Sequence, residues 1–177
     1  MDRSEISNEN GENMKTRVLF VCMGNICRSP SAQGVFSHLL EKRGLTDHFE
    51  VDSAGTISYH AGSPPDQRAQ AAARGRGIDL SALRARQVKS EDFEFFDYIL
   101  AMDEENLSDL LSRSPVFHQE KISLIMEHSG WNGGREVPDP YYGGESGFEQ
   151  VLDMLEAACN GFIDDALLGR LTSSGTD

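Results

Sequence analysis

The chain has 177 residues, a formal net charge of -13 and 38% hydrophobic content, which fits one soluble domain with room for a proper core. The acidic balance argues against nucleic acid or an anionic membrane as main partner, because both select a basic face, although a local cluster of arginine and backbone N–H groups can still hold an anion. Three cysteines, Cys22, Cys27 and Cys159, are too sparse and too odd in number for a disulfide framework, so free thiols in a reducing compartment are expected.

Residues 1–14 are polar and lack the apolar core of a secretory signal; they read as a disordered tail. A single domain over 15–169 and a flexible tail over 170–177 follow, and no apolar run is long enough to cross a bilayer. Residues 17–22 are a continuous apolar run with β-branched side chains, the pattern of a strand buried on both faces. Ser29 and Pro30 then suggest a helix start, with serine as N-cap and proline at the first helical position. That helix keeps Ala32, Val35, Phe36, Leu39 and Leu40 at helical spacing and stops near Gly44.

A strand over 49–54 comes next, then a Gly- and Pro-rich loop, a helix over 66–76 ending at Gly77, and a short helix over 90–95 capped by Ser90. Residues 97–102 predict a third buried strand, 103–112 a helix, 121–124 a fourth strand, 127–138 a Gly-rich loop and 147–168 a long helix. Phe148, Val151, Leu152, Leu155, Ala158, Phe162 and Ile163 mark the inner face of that last helix. Strands alternating with helices imply an α/β fold, a four-stranded parallel sheet flanked by helices on both faces. In such folds sites gather at the carboxyl ends of the strands, where Cys22 stands.

Five residues separate Cys22 from Arg28, between a buried strand and a helix N-terminus. A loop of that size wound around an anion points successive N–H groups inward, and the helix adds its positive end. Arg28 brings a planar fork for two phosphate oxygens. Gly24 permits close backbone approach and Asn25 tolerates a left-handed conformation. Together these groups favour a thiolate at Cys22, ready to attack. Taken alone, Cys22 would read as a small buried hydrophobe; its company reverses that. Scattered histidines and the lack of a second cysteine pair argue against zinc, and the absence of a Gly-Lys-Ser/Thr run excludes a Walker loop.

The run from Val18 through Cys22-Met23-Gly24-Asn25-Ile26-Cys27-Arg28-Ser29-Pro30 to Ala32 resembles the signature of low-molecular-weight protein-tyrosine phosphatases. Asp52-Ser53-Ala54-Gly55, Arg84-Ala85-Arg86-Gln87, Phe96 to Asp103 and Asp139-Pro140-Tyr141-Tyr142-Gly143 are similar to further family segments in the family's order, over roughly residues 16–168. The resemblance implies the Rossmann-like fold of phosphotyrosine phosphatase I and a metal-independent hydrolase. It would cleave phosphotyrosine and small aryl phosphates through a phosphocysteine on Cys22. It also implies that Asp139 acts as general acid and then as base. The flanking Pro138 and Pro140 stiffen its loop.

By the same resemblance, Met23, Gly24, Asn25, Ile26, Cys27 and Ser29 shape the phosphate loop, and Met23 and Ile26 form apolar parts of the pocket rim. Asn25 and Ser53 are expected as a buried hydrogen-bonded pair, and Ser29 as a partner of the Cys22 thiolate. Tyr59, Tyr141 and Tyr142 are expected near the substrate ring, and Cys27 as a thiol able to form a disulfide with Cys22. Leu83 stands where many relatives carry a histidine that pairs with an acid at the position of Asp103, so that pairing is absent here. Phosphotyrosine proteins are the expected partners of a cytoplasmic monomer that uses no cofactor, nucleic acid or membrane. Phosphoarginine hydrolysis is an alternative, but relatives with that preference have threonine where Ile26 stands. Thioredoxin-linked arsenate reduction needs extra cysteines that residues 77–100 lack, and a non-catalytic phosphotyrosine-binding module would usually lack Cys22, Arg28 or Asp139.

Overall fold

A computed structural model describes residues 14–130, 134–141 and 143–169; the expected tail over 1–14, save Met14, the expected tail over 170–177, and Tyr142 lie outside the described residues. Four strands, β1 (Thr16–Cys22), β2 (Phe49–Gly55), β3 (Tyr98–Ala101) and β4 (Ile122–Leu124), form one sheet in the order β2-β1-β3-β4. Every pairing is parallel, with Cys22 beside Gly55 and Val21 beside Ala101. Five helices connect or flank them: α1 (Arg28–Arg43), α2 (Gln67–Arg74), α3 (Ser90–Phe95), α4 (Glu104–Arg113) and α5 (Glu145–Leu167). The expected architecture therefore holds.

The alternation along β1 shows why both faces are covered. Val18, Phe20 and Cys22 point into a core built with α1 and α5, while Leu19 and Val21 point into a second core with Phe93, Phe96 and Leu110 from the α3–α4 side. Val18, Leu19, Phe20 and Val21 are fully buried, which explains the unbroken apolar run. Phe36 of α1 centres the larger core, with ring centroids 5.5 Å from Phe20, 5.4 Å from Phe49 and 6.0 Å from Phe162. Deleting a ring from such a cluster costs about 3–5 kcal/mol. All seven inner-face residues expected on α5 are buried.

The corrections concern helix ends. Helix α1 begins at Arg28, and Cys27 rather than Ser29 occupies the cap position. The Ser29 hydroxyl is held by the loop instead, and Ser31 Oγ donates to the Cys27 carbonyl at 2.6 Å. Pro30 still falls in the first turn, where its missing N–H is not needed. Helix α2 is shorter than expected at both ends. Asp66 caps it by accepting the Arg68 N–H at 2.8 Å, and the chain leaves it through Gly77 at φ +80. At α3, Lys89 rather than Ser90 is the cap, with its N–H donated to the Asp92 carboxylate at 2.9 Å. Helix α5 starts two residues before the expected Gly147, and the expected loop after 127 opens inside a short 3-10 turn, Ile125–His128. Gly161 of α5 packs on that turn so closely that a Cβ would lie 1.7 Å from the His128 carbonyl oxygen.

Candidate active site

Cys22 ends β1, and the chain then turns sharply into α1. Two hydrogen bonds fasten this turn to the segment after β2: Thr56 N–H to Cys22 O at 2.9 Å and Ile57 N–H to Met23 O at 3.1 Å. Gly55 is required here by close approach, because a Cβ would sit 2.6 Å from Met23 O and 3.2 Å from Asn25 N. Asn25 takes a left-handed conformation at φ +57, and its N–H points at Cys22 Sγ at 3.3 Å.

The Asn25 amide organises the loop. Its Nδ2 donates to Ser29 Oγ at 2.7 Å and to Ser53 Oγ at 3.0 Å, while Oδ1 accepts the Arg86 N–H at 3.0 Å. Ser53 Oγ in turn donates to Gln33 Oε1 at 2.7 Å. Ser29 Oγ lies 3.1 Å from Cys22 Sγ and 3.3 Å from Ala54 O. Asn25 fills an acceptor site on that hydroxyl, and the hydroxyl's single proton is shared between the Ala54 carbonyl and a thiolate at Cys22. The expected Asn25–Ser53 pair and the expected Ser29–Cys22 contact are both present.

Arg28 is 3% exposed and crosses the floor of the cleft. Its Nη1 donates to Asp103 Oδ2 at 2.6 Å and to the Val137 carbonyl at 3.1 Å. Burial disfavours the charged guanidinium, but the Cys22 thiolate and the bond to Asp103 more than offset it, and the net pKa is raised. Asp103 also caps α4 by accepting the Asn106 N–H at 2.7 Å, so one carboxylate fixes both the helix and the arginine. Sequence reasoning left Asp103 without a partner, and the structure supplies Arg28. Leu83 packs, half-buried, against the larger core.

Asp139 stands over the same cleft, with Oδ2 3.7 Å from Arg28 Nη2 and Oδ1 accepting the Tyr141 N–H at 3.0 Å. The cleft encloses about 360 Å³. Cys22, Gly24 and Arg28 form its floor, with Met23 and Ile26 beside them as expected. Ile57, Tyr59, His60 and Tyr141 form the walls. Tyr59 is 84% exposed and meets His60 edge-on at 4.8 Å. Arg68 lies over both the Tyr141 and Phe148 rings, at 5.4 and 4.8 Å. Ile57, His60 and Arg68 were not foreseen, and Asp103 was named without its tie to Arg28. For Asp103 a signal existed, since it follows a buried strand at its carboxyl end and opens a helix.

Cys27 lines the same cleft as Cys22 and packs with Ala69 and Phe148. Burial, and then the negative charges of Asp66, Cys22 and Asp139, push its thiol up to about 12. All three cysteines are free thiols. Among the described residues no group of three His, Cys, Asp or Glu side chains is placed to hold a metal, and no helix is long and apolar enough to cross a membrane.

A thiol ringed by donors, a buried arginine fork and a carboxylic acid over one small cleft can cleave a phosphate ester by covalent catalysis. Comparison with known proteins agrees. The family model for low molecular weight phosphotyrosine protein phosphatase matches residues 17–172. A putative low molecular weight protein-tyrosine-phosphatase of Synechocystis is 45% identical over 148 residues, covering 83% of this chain and 94% of that protein. The human low molecular weight phosphotyrosine protein phosphatase is 42% identical over 153 residues, covering 84% and 94%. Among solved structures, a protein tyrosine phosphatase from Entamoeba histolytica with Hepes in its active site matches with a TM-score of 0.86 at 43% identity, covering 88% of this chain and 99% of that one. YfkJ from Bacillus subtilis matches with a TM-score of 0.84 at 36% identity, covering 90% and 99%. The chain belongs to the low molecular weight phosphotyrosine protein phosphatase family, and is a hydrolase of that class.

Proposed function

We propose that the chain hydrolyses phosphotyrosine in proteins, and small aryl phosphates, through a covalent phosphocysteine. Cys22 Sγ attacks phosphorus while the ester P–O bond breaks, and Asp139 gives its proton to the departing phenolate oxygen. Water then attacks the phosphocysteine, Asp139 takes its proton, and Cys22 leaves as a thiolate that the Ser29 O–H stabilises. Loop N–H groups and Arg28 hold the equatorial oxygens throughout, so the chain's own donors neutralise the transferring group. Asp103 and Val137 O occupy Arg28 Nη1, which leaves the Nε–Nη2 edge as the fork toward phosphate.

The observation that carries this reading is convergence. Cys22 and Arg28 share one loop, Asp139 comes from a distant part of the chain, and all three face one cleft. The apolar Ile26 and the Tyr59 and Tyr141 walls suit an aromatic ester better than a guanidinium phosphate. Its three free thiols suit a reducing cytoplasm, where we place it as a monomer acting on phosphotyrosine proteins.

The test is a turnover panel of phosphotyrosine peptide, p-nitrophenyl phosphate, phosphoserine peptide, phosphoarginine and arsenate. Wild type should turn over the first two. Cys22→Ser should show no measurable turnover while retaining phosphate binding. Asp139→Asn should lose about 10²–10⁴ in kcat on the phosphotyrosine peptide. Native-rate turnover by Cys22→Ser removes the mechanism, and a preference for phosphoarginine replaces the substrate.

A further inference from the structure

The Arg84-Ala85-Arg86-Gln87 turn has no part in the mechanism above, yet one of its arginines is tied into the phosphate loop. Among the described residues Arg84 bonds locally, to the Ser81 and Leu83 carbonyls at 2.8 and 2.7 Å. Arg86 reaches much further. Its guanidinium spans two carboxylates, meeting Asp52 Oδ2 through Nε and Nη2 at 3.2 and 3.1 Å. It meets Asp92 through Nη1 and Nη2 at 2.9 and 3.1 Å. Asp52 lies in β2 and Asp92 in α3, so the side chain bolts its own main chain to two separate elements.

That main chain is what touches the site. The Arg86 N–H donates to Asn25 Oδ1 at 3.0 Å, and the Arg86 carbonyl accepts the Gly55 N–H at 2.8 Å. Val88 N–H returns to Gly55 O at 2.8 Å, making a parallel bridge between Gly55 and Gln87. The other arm of the Asn25 amide ends on Ser29 and Ser53, and Ser53 directly follows Asp52, whose Oδ1 accepts the Ser53 N–H at 2.8 Å. One end of the Asn25 amide thus terminates on the Arg86 backbone, and the other on the hydroxyls of Ser29 and of Ser53, which directly follows the clamped Asp52. Asn25 sits at a positive φ that an unsupported side chain would leave, and its N–H is aimed at Cys22 Sγ.

We infer that Arg86 is a positioning residue for the phosphate loop: by clamping Asp52 and Asp92 it holds Asn25 in the conformation that presents its N–H and Ser29 to the Cys22 sulfur. The charged clamp is half-buried, with Asp92 nearly fully enclosed, so it is rigid where a surface pair would be loose. A misplacement of about 1 Å at a reacting group costs roughly 10²-fold, which sets the scale of the effect.

This inference rests on the phosphatase reading, and the experiment separates the two. Rates of Cys22 alkylation by iodoacetate against pH, and the rise in melting temperature produced by inorganic phosphate, are measured in full-length wild type, Arg86→Met, Arg86→Lys and Arg84→Met. Neither readout requires turnover. Arg86→Met should move the alkylation profile to higher pH, shrink the phosphate-induced melting shift, and lower kcat on p-nitrophenyl phosphate by roughly 10- to 100-fold. Arg86→Lys should recover part of each, and Arg84→Met should match wild type. Should Arg86→Met fail to fold, Asp52→Asn, which weakens one arm of the clamp, should move the alkylation profile in the same direction. An unchanged alkylation profile and phosphate shift in folded Arg86→Met, with only a lower melting temperature, would overturn the inference. A wild type that binds phosphate but hydrolyses no ester would instead overturn the phosphatase reading and leave this one standing.

Discussion

Asn25, beneath the floor of the cleft, is 2% exposed and its side chain and N–H are engaged with Cys22, Ser29, Ser53 and Arg86, whereas Tyr59 on the wall above is 84% exposed and its ring meets that of His60 edge-on. The floor is an extension of the core, continuous with the buried run of β1, residues 18–22, that ends in Cys22. The wall is attached to loops and can change without disturbing the sheet. A phosphoryl group has one shape and charge, so the surface that meets it benefits from rigidity; the rest of a substrate varies, so the surface that meets it need not be fixed.

Gly55→Ala breaks this comparison most sharply. One methyl would press on the Met23 carbonyl from 2.6 Å, and the obstacle is backbone, which cannot swing aside. Activity on p-nitrophenyl phosphate should fall by about 10²-fold, with the phosphate-induced melting shift reduced in parallel. Native activity in that variant would mean the floor is softer than described. On the wall, Tyr141→Ala removes the ring that Arg68 covers. KM for a phosphotyrosine peptide should rise by about 2- to 10-fold, the worth of one aromatic contact, with the phosphate-induced melting shift retained. A loss of that shift would place Tyr141 with the floor.

The smallest effect concerns Cys27. Peroxide should convert the Cys22 thiolate to a sulfenic acid, and attack by the Cys27 thiol should expel water to give a disulfide that a dithiol reverses. With its thiol held up to about 12, Cys27 is protonated at neutral pH, and its attack should be slow there and quicken as pH rises. Recovery of activity after peroxide and dithiothreitol should therefore be greater for wild type than for Cys27→Ala, with the gap widening from pH 7 to pH 9. Equal recovery at both pH values would remove the protective role.

The sequence made the floor readable because its chemistry is local. Cys22, Asn25, Arg28 and Ser29 are close neighbours in the chain, and the strand and helix on either side announce the loop. Asp139 was readable from its prolines together with the family resemblance. The missed residues share a different origin. Asp103 reaches Arg28 from the carboxyl end of the neighbouring strand β3, far away in the chain, and His60 and Ile57 enter the cleft from a loop whose path no periodicity describes. Ser29 was misassigned for a related reason. A hydroxyl before a proline looks like a cap, but here the thiol, the Asn25 amide and the Ala54 carbonyl compete for it and win.

The strand order has a temporal consequence. β1 lies between β2 and β3, so the strand synthesised first gains its second partner only after residue 98 has appeared. Parallel pairing across such separations is slow, because long loops must close before any bond rewards them. The thiol loop therefore leaves the ribosome well before Asp103 can grip Arg28, and longer still before Val137 and Asp139 arrive to roof it. A growing chain carries an exposed nucleophile with no proton donor, and becomes a catalyst only when its last third folds over its first.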